Sequence, residues 1–263
     1  ASNKVSYGQL REYLLGEELD STTNYPLRRI WLDFILGRIN ADETHRRIMA
    51  LYENYPKESF YSAMNLIGSH DSIRILTKLG EAPPEEGLEE REREEYRLDR
   101  DARNLGVKRL KLITLMQFFF PGVPCIYYGD EAGLEGYSDP YNRGTYPWGR
   151  EDADILDWYM KITGLRQQYG VLIDGDFKSF YLEKNIYGFI RENSRDRIIV
   201  LINRSPDDRW EGELIPRGIK AKDIPWVREG AIDLINPDNM IEGPGGDLLR
   251  IEPLGAMVIY MNK

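Results

Sequence analysis

The 263-residue sequence predicts an α/β region followed by a smaller all-β region. In the first region, two short apolar runs at 63–67 and 123–128 are separated by a long segment with helical periodicity. Strands joined by such long crossovers pair in parallel and are covered by helices. In the second region the apolar runs are short and turns are frequent, which is typical of a small antiparallel β-sandwich. We therefore divide the chain into 1–170 and 171–263.

The α/β region is predicted to contain three helical segments. Apolar residues recur at helical spacing over 31–52, with an interruption near Gly37 and Asn40, so this stretch forms one or two helices. The stretch 105–120 predicts a helix that the following Pro-Gly pair ends. A further amphipathic helix is predicted over 155–169, and it closes the first region.

The two apolar runs of this region are interpreted as buried strands. The first run spans 60–68 and is bounded by a glycine, which favours an interior parallel strand at 63–67. The second includes Cys125, the only cysteine, which we interpret as inert packing. The segment 85–103 between them carries dense mixed charge, which indicates an exposed helix or mobile insertion rather than a binding surface.

Five β-type runs follow in the second region, at 177–181, 186–191, 198–203, 231–235 and 257–260. The segment 193–196 has the composition of a hairpin loop. Pro237, the Gly-Pro-rich stretch 243–246 and Pro253 interrupt the tail. Short strands with such frequent turns predict the antiparallel sandwich.

Charge and composition limit the classes of partner. The net charge of −9 argues against a nucleic acid or an anionic membrane and favours a neutral polar substrate. No apolar run approaches the ~18 residues of a membrane span, and the start has no signal-peptide character. The chain does not begin with Met, so three explanations stay open: removal of an upstream segment, secretion, and an artificial start. Of the two compartments, the cytoplasm is favoured over secretion.

Ser69, His70 and Asp71 follow directly on the first predicted strand. They have the residue types of a hydrolase triad, but three consecutive side chains cannot align as nucleophile, base and orienting group. An imidazole and a carboxylate at this end of a strand can instead hydrogen-bond vicinal hydroxyls, since ligand sites of α/β proteins lie there. A purely structural histidine is the alternative.

The loop 139–148 follows the second predicted strand and carries Asp139, Arg143 and three aromatic rings. Flat rings beside charged groups suit sugars, whose faces are apolar and whose edges are hydroxyls. Alternatively, Asp139 and Arg143 pair with each other and hold the loop. The acidic pair at 130–131 precedes this loop. It is either a catalytic pair or a pair whose contacts hold the loop in place. The Arg-x-Asp sequence at 97–99 is interpreted as a chance match to a catalytic motif and not as a catalytic site, because its surroundings are charged.

Four stretches together resemble the α-amylase superfamily, family 13 of the glycoside hydrolases, and its neopullulanase, cyclomaltodextrinase and amylopullulanase group. In order, 20–26, 65–71 and 120–131 resemble the sixth, seventh and eighth barrel strands, and 139–148 resembles a loop lining the cleft. The resemblance implies the C-terminal part of a (β/α)8 TIM barrel over 1–170, followed by the β-sandwich.

The resemblance also implies roles for four residues. Asp71 would be the third catalytic carboxylate, which grips and distorts the sugar ring, and His70 would hydrogen-bond the same sugar. Asp139 and Arg143 would hold the next glucose units. It implies no cofactor and no metal ligands, and calcium has no support in the sequence.

The matching stretches resemble barrel strands that come after the two strands carrying the nucleophile and the general acid in this family. The resemblance therefore implies part of a retaining hydrolase of α-glucans, with α-1,4 and α-1,6 linkages or cyclodextrins as substrates, inactive as this chain alone. The missing half of the barrel or a second copy of the chain is the expected protein partner. The chain would be an engineered piece, a proteolytic product or one part of a complex. A noncatalytic carbohydrate-binding or subunit-interaction module, or an α-glucan transglycosylase, is the alternative.

Overall fold

The computed structural model describes residues 21–220, 227, 230–237 and 249–263. The helices are α1 (Tyr25–Ile35), α2 (Ala41–Asn54), α3 (Lys57–Ser62), α4 (Ile75–Leu79), α5 (Glu90–Glu95), α6 (Arg100–Phe119), α7 (Ala153–Gln168) and α8 (Val171–Asp174), with a 3-10 turn at Tyr141–Arg143. The strands are β1 (Met64–Leu66), β2 (Val123–Cys125), β3 (Asp176–Glu183), β4 (Ile186–Glu192), β5 (Asp196–Asn203), β6 (Trp210–Gly212), β7 (Ile232–Asp233), β8 (Leu249–Ile251) and β9 (Ala256–Asn262). Within these ranges no helix is both long and apolar enough to span a bilayer.

Side-chain caps set where the main helices begin. The Asn24 side chain accepts from the Leu27 amide at the start of α1, and the Asn40 side chain accepts from the Glu43 amide at the start of α2. The predicted segment 31–52 is thus two helices with a break between them. Asp99 caps α6 in the same way, so this helix begins five residues before the predicted start at 105.

Strands β1 and β2 pair in parallel, with Met64 opposite Val123, as the sequence predicts. Thr23 forms a parallel bridge to Met64 on the other side of β1, so three chain segments run side by side. The strands are shorter than predicted: residues 60–62 belong to α3, and β2 stops at Cys125.

The prediction that β2 is buried is wrong, and so is the interpretation of Cys125 as packing. The Val123 side chain is 51 % exposed, and Cys125 is exposed too. Met64 on the neighbouring strand is 37 % exposed. One face of the parallel pair packs on α6, whereas the other carries apolar side chains that the described residues leave uncovered.

The charged segment contains α5, none of whose residues is buried, so its prediction as an exposed helix is confirmed. Further on, α6 packs closely on α4. A Cβ on Gly106 would lie 3.1 Å from the Gly80 backbone nitrogen, which explains a glycine inside this helix.

The second region holds a five-stranded antiparallel sheet in the order β3-β4-β5-β9-β7 and a separate β6-β8 pair. All five predicted runs are strands of the larger sheet. The Asn193 amide donates to the Asp196 carbonyl, which confirms the predicted hairpin loop. The sequence missed β6 and β8 because each has only three residues, with a charged residue in the middle. The turn predicted at 243–246 lies outside the described residues.

The larger sheet is buried on both faces. One face contributes Phe177, Phe189 and Val200 to a core that also contains residues of α1, α2, α6 and α7. The opposite face packs on Trp210 of β6 and Ile251 of β8. Alternation along the strands therefore divides the sheet residues between two cores, one of which is shared with the helices.

Candidate functional site

The turn after β1 brings the candidate site to the carboxyl end of the parallel strands. Residues 67–72 leave the strand and pass beside Asp130, which follows β2. A Cβ on Gly68 would lie 1.9 Å from Oδ2 of Asp130, so only glycine fits at this crossing. The turn is thereby fixed against the exit loop of the neighbouring strand.

His70 and Asp71 project from this turn into solvent. Their side chains are 59 % and 66 % exposed, and His70 Nε2 lies 3.3 Å from Asp71 Oδ1. The Tyr25 hydroxyl, at the start of α1, lies 3.5 Å from Asp71 Oδ2. The structure therefore brings an imidazole, a carboxylate and a phenol together at one accessible point, as suits a ligand rich in hydroxyl groups.

Two side chains hold this turn from behind. Arg28 donates through Nε to the Ile67 carbonyl at 2.7 Å and through Nη2 to the Ser72 hydroxyl at 3.1 Å. The buried Asn142 donates through Nδ2 to the carbonyls of His70 at 2.8 Å and of Ser72 at 2.9 Å. Sequence reasoning missed Asn142, because an asparagine between polar loop residues carries no periodicity that marks it as buried.

The loop 139–148 lies next to the turn because Asn142 belongs to it. Arg143 Nε donates to Asp139 Oδ1 at 2.5 Å, and the two side chains are 49 % and 60 % exposed. Pairing within the loop, the alternative interpretation of these residues, is thus present, while both charged groups stay open to solvent. The Tyr128 hydroxyl donates to the Gly144 carbonyl at 3.0 Å and fixes the loop to the end of β2.

Two rings of the loop form an exposed aromatic pair. The centroids of Tyr146 and Trp148 are 4.5 Å apart, with an angle of 48° between the rings. Trp148 is 81 % exposed. An exposed ring of this kind can stack on the apolar face of a sugar.

Asp130, in contrast, is a structural residue. Its carboxylate is fully buried and lies 3.1 Å from Nη1 of Arg74, which is 1 % exposed. Burial raises the pKa of Asp130 to about 7, against the lowering effect of Arg74. Arg74 also donates to the Tyr128 carbonyl at 2.5 Å. The acidic pair at 130–131 therefore supplies a loop tie through Asp130.

Asp99 is also structural, as its charged surroundings indicated. Its Oδ1 accepts from the Ala102 amide at 2.8 Å and caps α6. Among the described residues, no group of three or more His, Cys, Asp or Glu side chains is placed to hold a metal ion.

Comparison with known proteins gives consistent matches. The family model described as alpha amylase, catalytic domain, matches residues 3–169. An amylopullulanase from Thermoanaerobacter thermohydrosulfuricus is 41 % identical over 196 residues, which cover 70 % of this chain and 13 % of the relative. A cyclomaltodextrinase from a Bacillus species is 33 % identical over 196 residues, covering 73 % of this chain and 31 % of the relative.

Solved structures agree with these matches. A cyclomaltodextrinase structure superposes with a TM-score of 0.74 at 26 % identity, covering 98 % of this chain and 39 % of that one. A cyclic α-maltosyl-(1→6)-maltose hydrolase from Arthrobacter globiformis, in complex with maltose, has a TM-score of 0.67 at 24 % identity. The chain spans about a third or less of the length of the amylopullulanase and the cyclomaltodextrinase from the Bacillus species named above.

Proposed function

The chain belongs to the α-amylase family, and from this premise we propose that it forms the C-terminal part of the catalytic domain of an α-glucan hydrolase. In this proposal residues 1–170 supply strands six to eight of a (β/α)8 barrel, and residues 171–263 form a β-sandwich. The parallel arrangement of Thr23, β1 and β2 supports this assignment. The uncovered apolar side chains of Met64 and Val123 would face the barrel interior.

The observation that carries the proposed function is the exposed His70–Asp71 pair at the carboxyl end of β1. In a barrel enzyme this is the end where substrates bind. Asp71 would grip the hydroxyls of the glucose ring at the cleavage point, and His70 would donate to the same ring. Hydrogen bonds that strengthen toward an oxocarbenium-like transition state supply several kcal/mol in such reactions.

Asp139 and Arg143 would hold the adjacent glucose units from the loop beside the turn. Their mutual hydrogen bond keeps both groups in place, and their exposure leaves further donors and acceptors for hydroxyl groups. The names of the relatives, amylopullulanase and cyclomaltodextrinase, indicate α-glucans as the substrate class. The nucleophile and the general acid would come from the earlier barrel strands.

The test is the substitution Asp71→Asn in the protein that unites this chain with the first five strands. Loss of about 4 kcal/mol of transition-state stabilisation lowers kcat roughly a thousandfold. Release of reducing sugar from pullulan and cyclodextrins measures it. The exposed Asp207 offers the control, because Asp207→Asn removes a carboxylate elsewhere and is expected to leave kcat unchanged. A variant Asp71→Asn with more than a tenth of the activity contradicts the proposal.

Noncatalytic carbohydrate binding is a second candidate, favoured by the exposed Tyr146–Trp148 pair. A binding module keeps its affinity for maltooligosaccharides when Asp71 is replaced, whereas Trp148→Ala weakens it. Calorimetry with the pure chain distinguishes the two candidates. On the main proposal the pure chain releases no reducing sugar, and clear release would show that a catalytic pair exists within it.

A further inference from the structure

Arg143 lies between two backbone carbonyls that accept hydrogen bonds from tyrosines at the end of β2. The Tyr128 hydroxyl donates to the Gly144 carbonyl at 3.0 Å, and the Tyr127 hydroxyl lies 3.5 Å from the Asn142 carbonyl. These carbonyls belong to the residues directly before and directly after Arg143. The two tyrosines therefore hold the backbone on either side of this residue.

A buried guanidinium supports both tyrosine rings. The Cζ atom of Arg74 lies 4.4 Å from the ring centroid of Tyr127 and 4.8 Å from that of Tyr128. A cation over an aromatic face is attracted to it, more strongly where water is excluded, and Arg74 is buried. The two rings also meet edge to face, with their centroids 4.9 Å apart. Displacing either ring would therefore break a contact with a buried charge.

The part of the loop that Tyr128 reaches is held by little packing. A Cβ on Gly144 would meet no neighbouring group within 4 Å, so the space beside this residue is open. The side chains of Asp139 and Arg143 are both largely exposed, so burial does not fix their positions. Exposed segments with few buried contacts open more readily than packed ones. The hydrogen bond from Tyr128 thus restrains the loop where side-chain packing contributes least.

We propose that Tyr128 is a positioning residue for substrate binding, whose hydroxyl holds Arg143 where its guanidinium meets a glucose unit next to the cleavage point. This inference rests on the proposed function, in which Asp139 and Arg143 hold the adjacent glucose units. Ordering a long side chain and its loop during binding costs free energy, and a residue that orders them beforehand removes that cost. Tyr128 would therefore increase the affinity for substrate through Arg143.

The chemical step is expected to be independent of this hydroxyl. The turn that carries Asp71 is held by other groups, among them the Asn142 side chain, which donates to the His70 carbonyl at 2.8 Å. The substitution Tyr128→Phe keeps the ring over Arg74 and the main-chain carbonyl that accepts from Arg74. Removing only the hydroxyl should therefore raise KM and leave kcat unchanged, which is the signature of binding lost equally from the ground state and the transition state.

Hydrogen exchange in the pure chain, followed by NMR, tests the positioning without any need for activity. The Arg143 amide donates to the Pro140 carbonyl at 3.0 Å and reports opening of the loop. In Tyr128→Phe its exchange is expected to be about fivefold faster, in keeping with loss of one neutral hydrogen bond. Tyr260→Phe is the matched control, because it removes a hydroxyl that donates to Asp196 at 2.9 Å on the larger sheet. Equal exchange in Tyr128→Phe and the wild type would overturn the proposal.

Kinetics of the protein that unites this chain with the first five strands test the link to substrate. With pullulan and cyclodextrins, Tyr128→Phe should raise KM about fivefold and leave kcat within about twofold of the wild type, and Tyr260→Phe should change neither. A lower kcat with an unchanged KM would overturn the proposal. A wild type that releases no sugar contradicts the proposed function, and with it the role in substrate binding, whereas hydrogen exchange decides separately whether Tyr128 holds the loop.

A double-mutant cycle decides whether Tyr128 acts through Arg143. Arg143→Ala removes the guanidinium and is expected to raise KM about tenfold, in keeping with loss of a charge-assisted contact. Adding Tyr128→Phe to Arg143→Ala should then change KM by less than about twofold, because no guanidinium is left to position. A merely structural role of Tyr128 would give the same rise in KM with and without Arg143. Such additivity would overturn the proposal.

Discussion

At the level of single residues, exposure to solvent distinguishes Asp71 from Asp130. Both carboxylates follow a parallel strand at its carboxyl end. Asp71 is 66 % exposed, whereas Asp130 is buried against Arg74. A sugar ring can reach only the first of them. The same sequence context, an acid after an apolar run, thus yields a candidate ligand-binding group in one case and a structural tie in the other.

Asn142 is expected to position the turn of His70 and Asp71. Asn142→Ala removes two donors from the carbonyls of His70 and Ser72, so the free energy of unfolding should fall by about 1–3 kcal/mol. Urea denaturation of the pure chain measures the change. In Asn54→Ala an exposed amide is lost from α2, and the change should stay within about 0.5 kcal/mol. Equal effects of the two substitutions would show that Asn142 does not hold the turn.

His45 is expected to make stability depend on pH. Its Nδ1 lies 3.0 Å from the Ser179 hydroxyl, and burial lowers its pKa, with a smaller raising effect of Asp42. The unfolded chain, with a histidine pKa of about 6.5, then binds this proton more readily than the folded chain. The contribution of neutral His45 is therefore complete above pH 6.5 and is lost as the pH falls toward its folded pKa.

Urea denaturation between pH 7.5 and 5 tests this expectation. His45→Gln should lose less stability than the wild type across that range, because the substituted side chain takes up no proton. Lys184→Gln, which changes no group that titrates in the range, should follow the wild-type slope. Parallel curves for His45→Gln and the wild type would contradict a role for His45.

At the level of elements, local sequence patterns predicted the positions of the strands better than they predicted their burial. Apolar runs placed β1, β2 and the five strands of the larger sheet within a few residues. The exposure of Cys125 was not predictable, because it depends on which surface covers β2 and not on its neighbours in sequence. The candidate site shows the same difference. The sequence located His70 and Asp71 because they follow a strand, whereas the role of Asn142 depends on a tertiary contact.

The buried Arg74–Asp130 pair is expected to be the strongest tie between α4 and the exit of β2. At pH 8, above the Asp130 pKa of about 7, Asp130→Ala leaves the buried Arg74 uncompensated and should cost about 3–5 kcal/mol. Asp154, which pairs with Lys111 and is 66 % exposed, gives the matched control. Asp154→Ala should cost at most about 1 kcal/mol in the same denaturation experiment. A small cost for Asp130→Ala would mean that the pair does not stabilise this connection.

At the level of the whole molecule, the helices and the larger sheet share one core. The ring of Phe120, which follows α6, lies 4.4 Å from Phe177 of β3 and 5.4 Å from Phe189 of β4, measured between centroids. The fully buried Arg191 donates to the Phe119 carbonyl at 3.1 Å and to the Leu172 carbonyl at 2.9 Å. The end of α6 is thus satisfied by a side chain of the sheet. The division near residue 170 is a change of secondary structure across which the core is continuous.

This shared core predicts that the two regions unfold together. Hydrogen exchange followed by mass spectrometry in increasing urea should show α6 and β4 losing protection at the same urea concentration. Neither element can open without exposing the contacts of Phe120 with Phe177 and Phe189. Phe177→Ala should lower the stability of both elements equally, by about 3–5 kcal/mol. Ile173 is 61 % exposed, and Ile173→Ala should leave both within about 0.5 kcal/mol of the wild type. Separate midpoints for α6 and β4 would instead show two independent folding units, with the aromatic contact between them too weak to couple their unfolding.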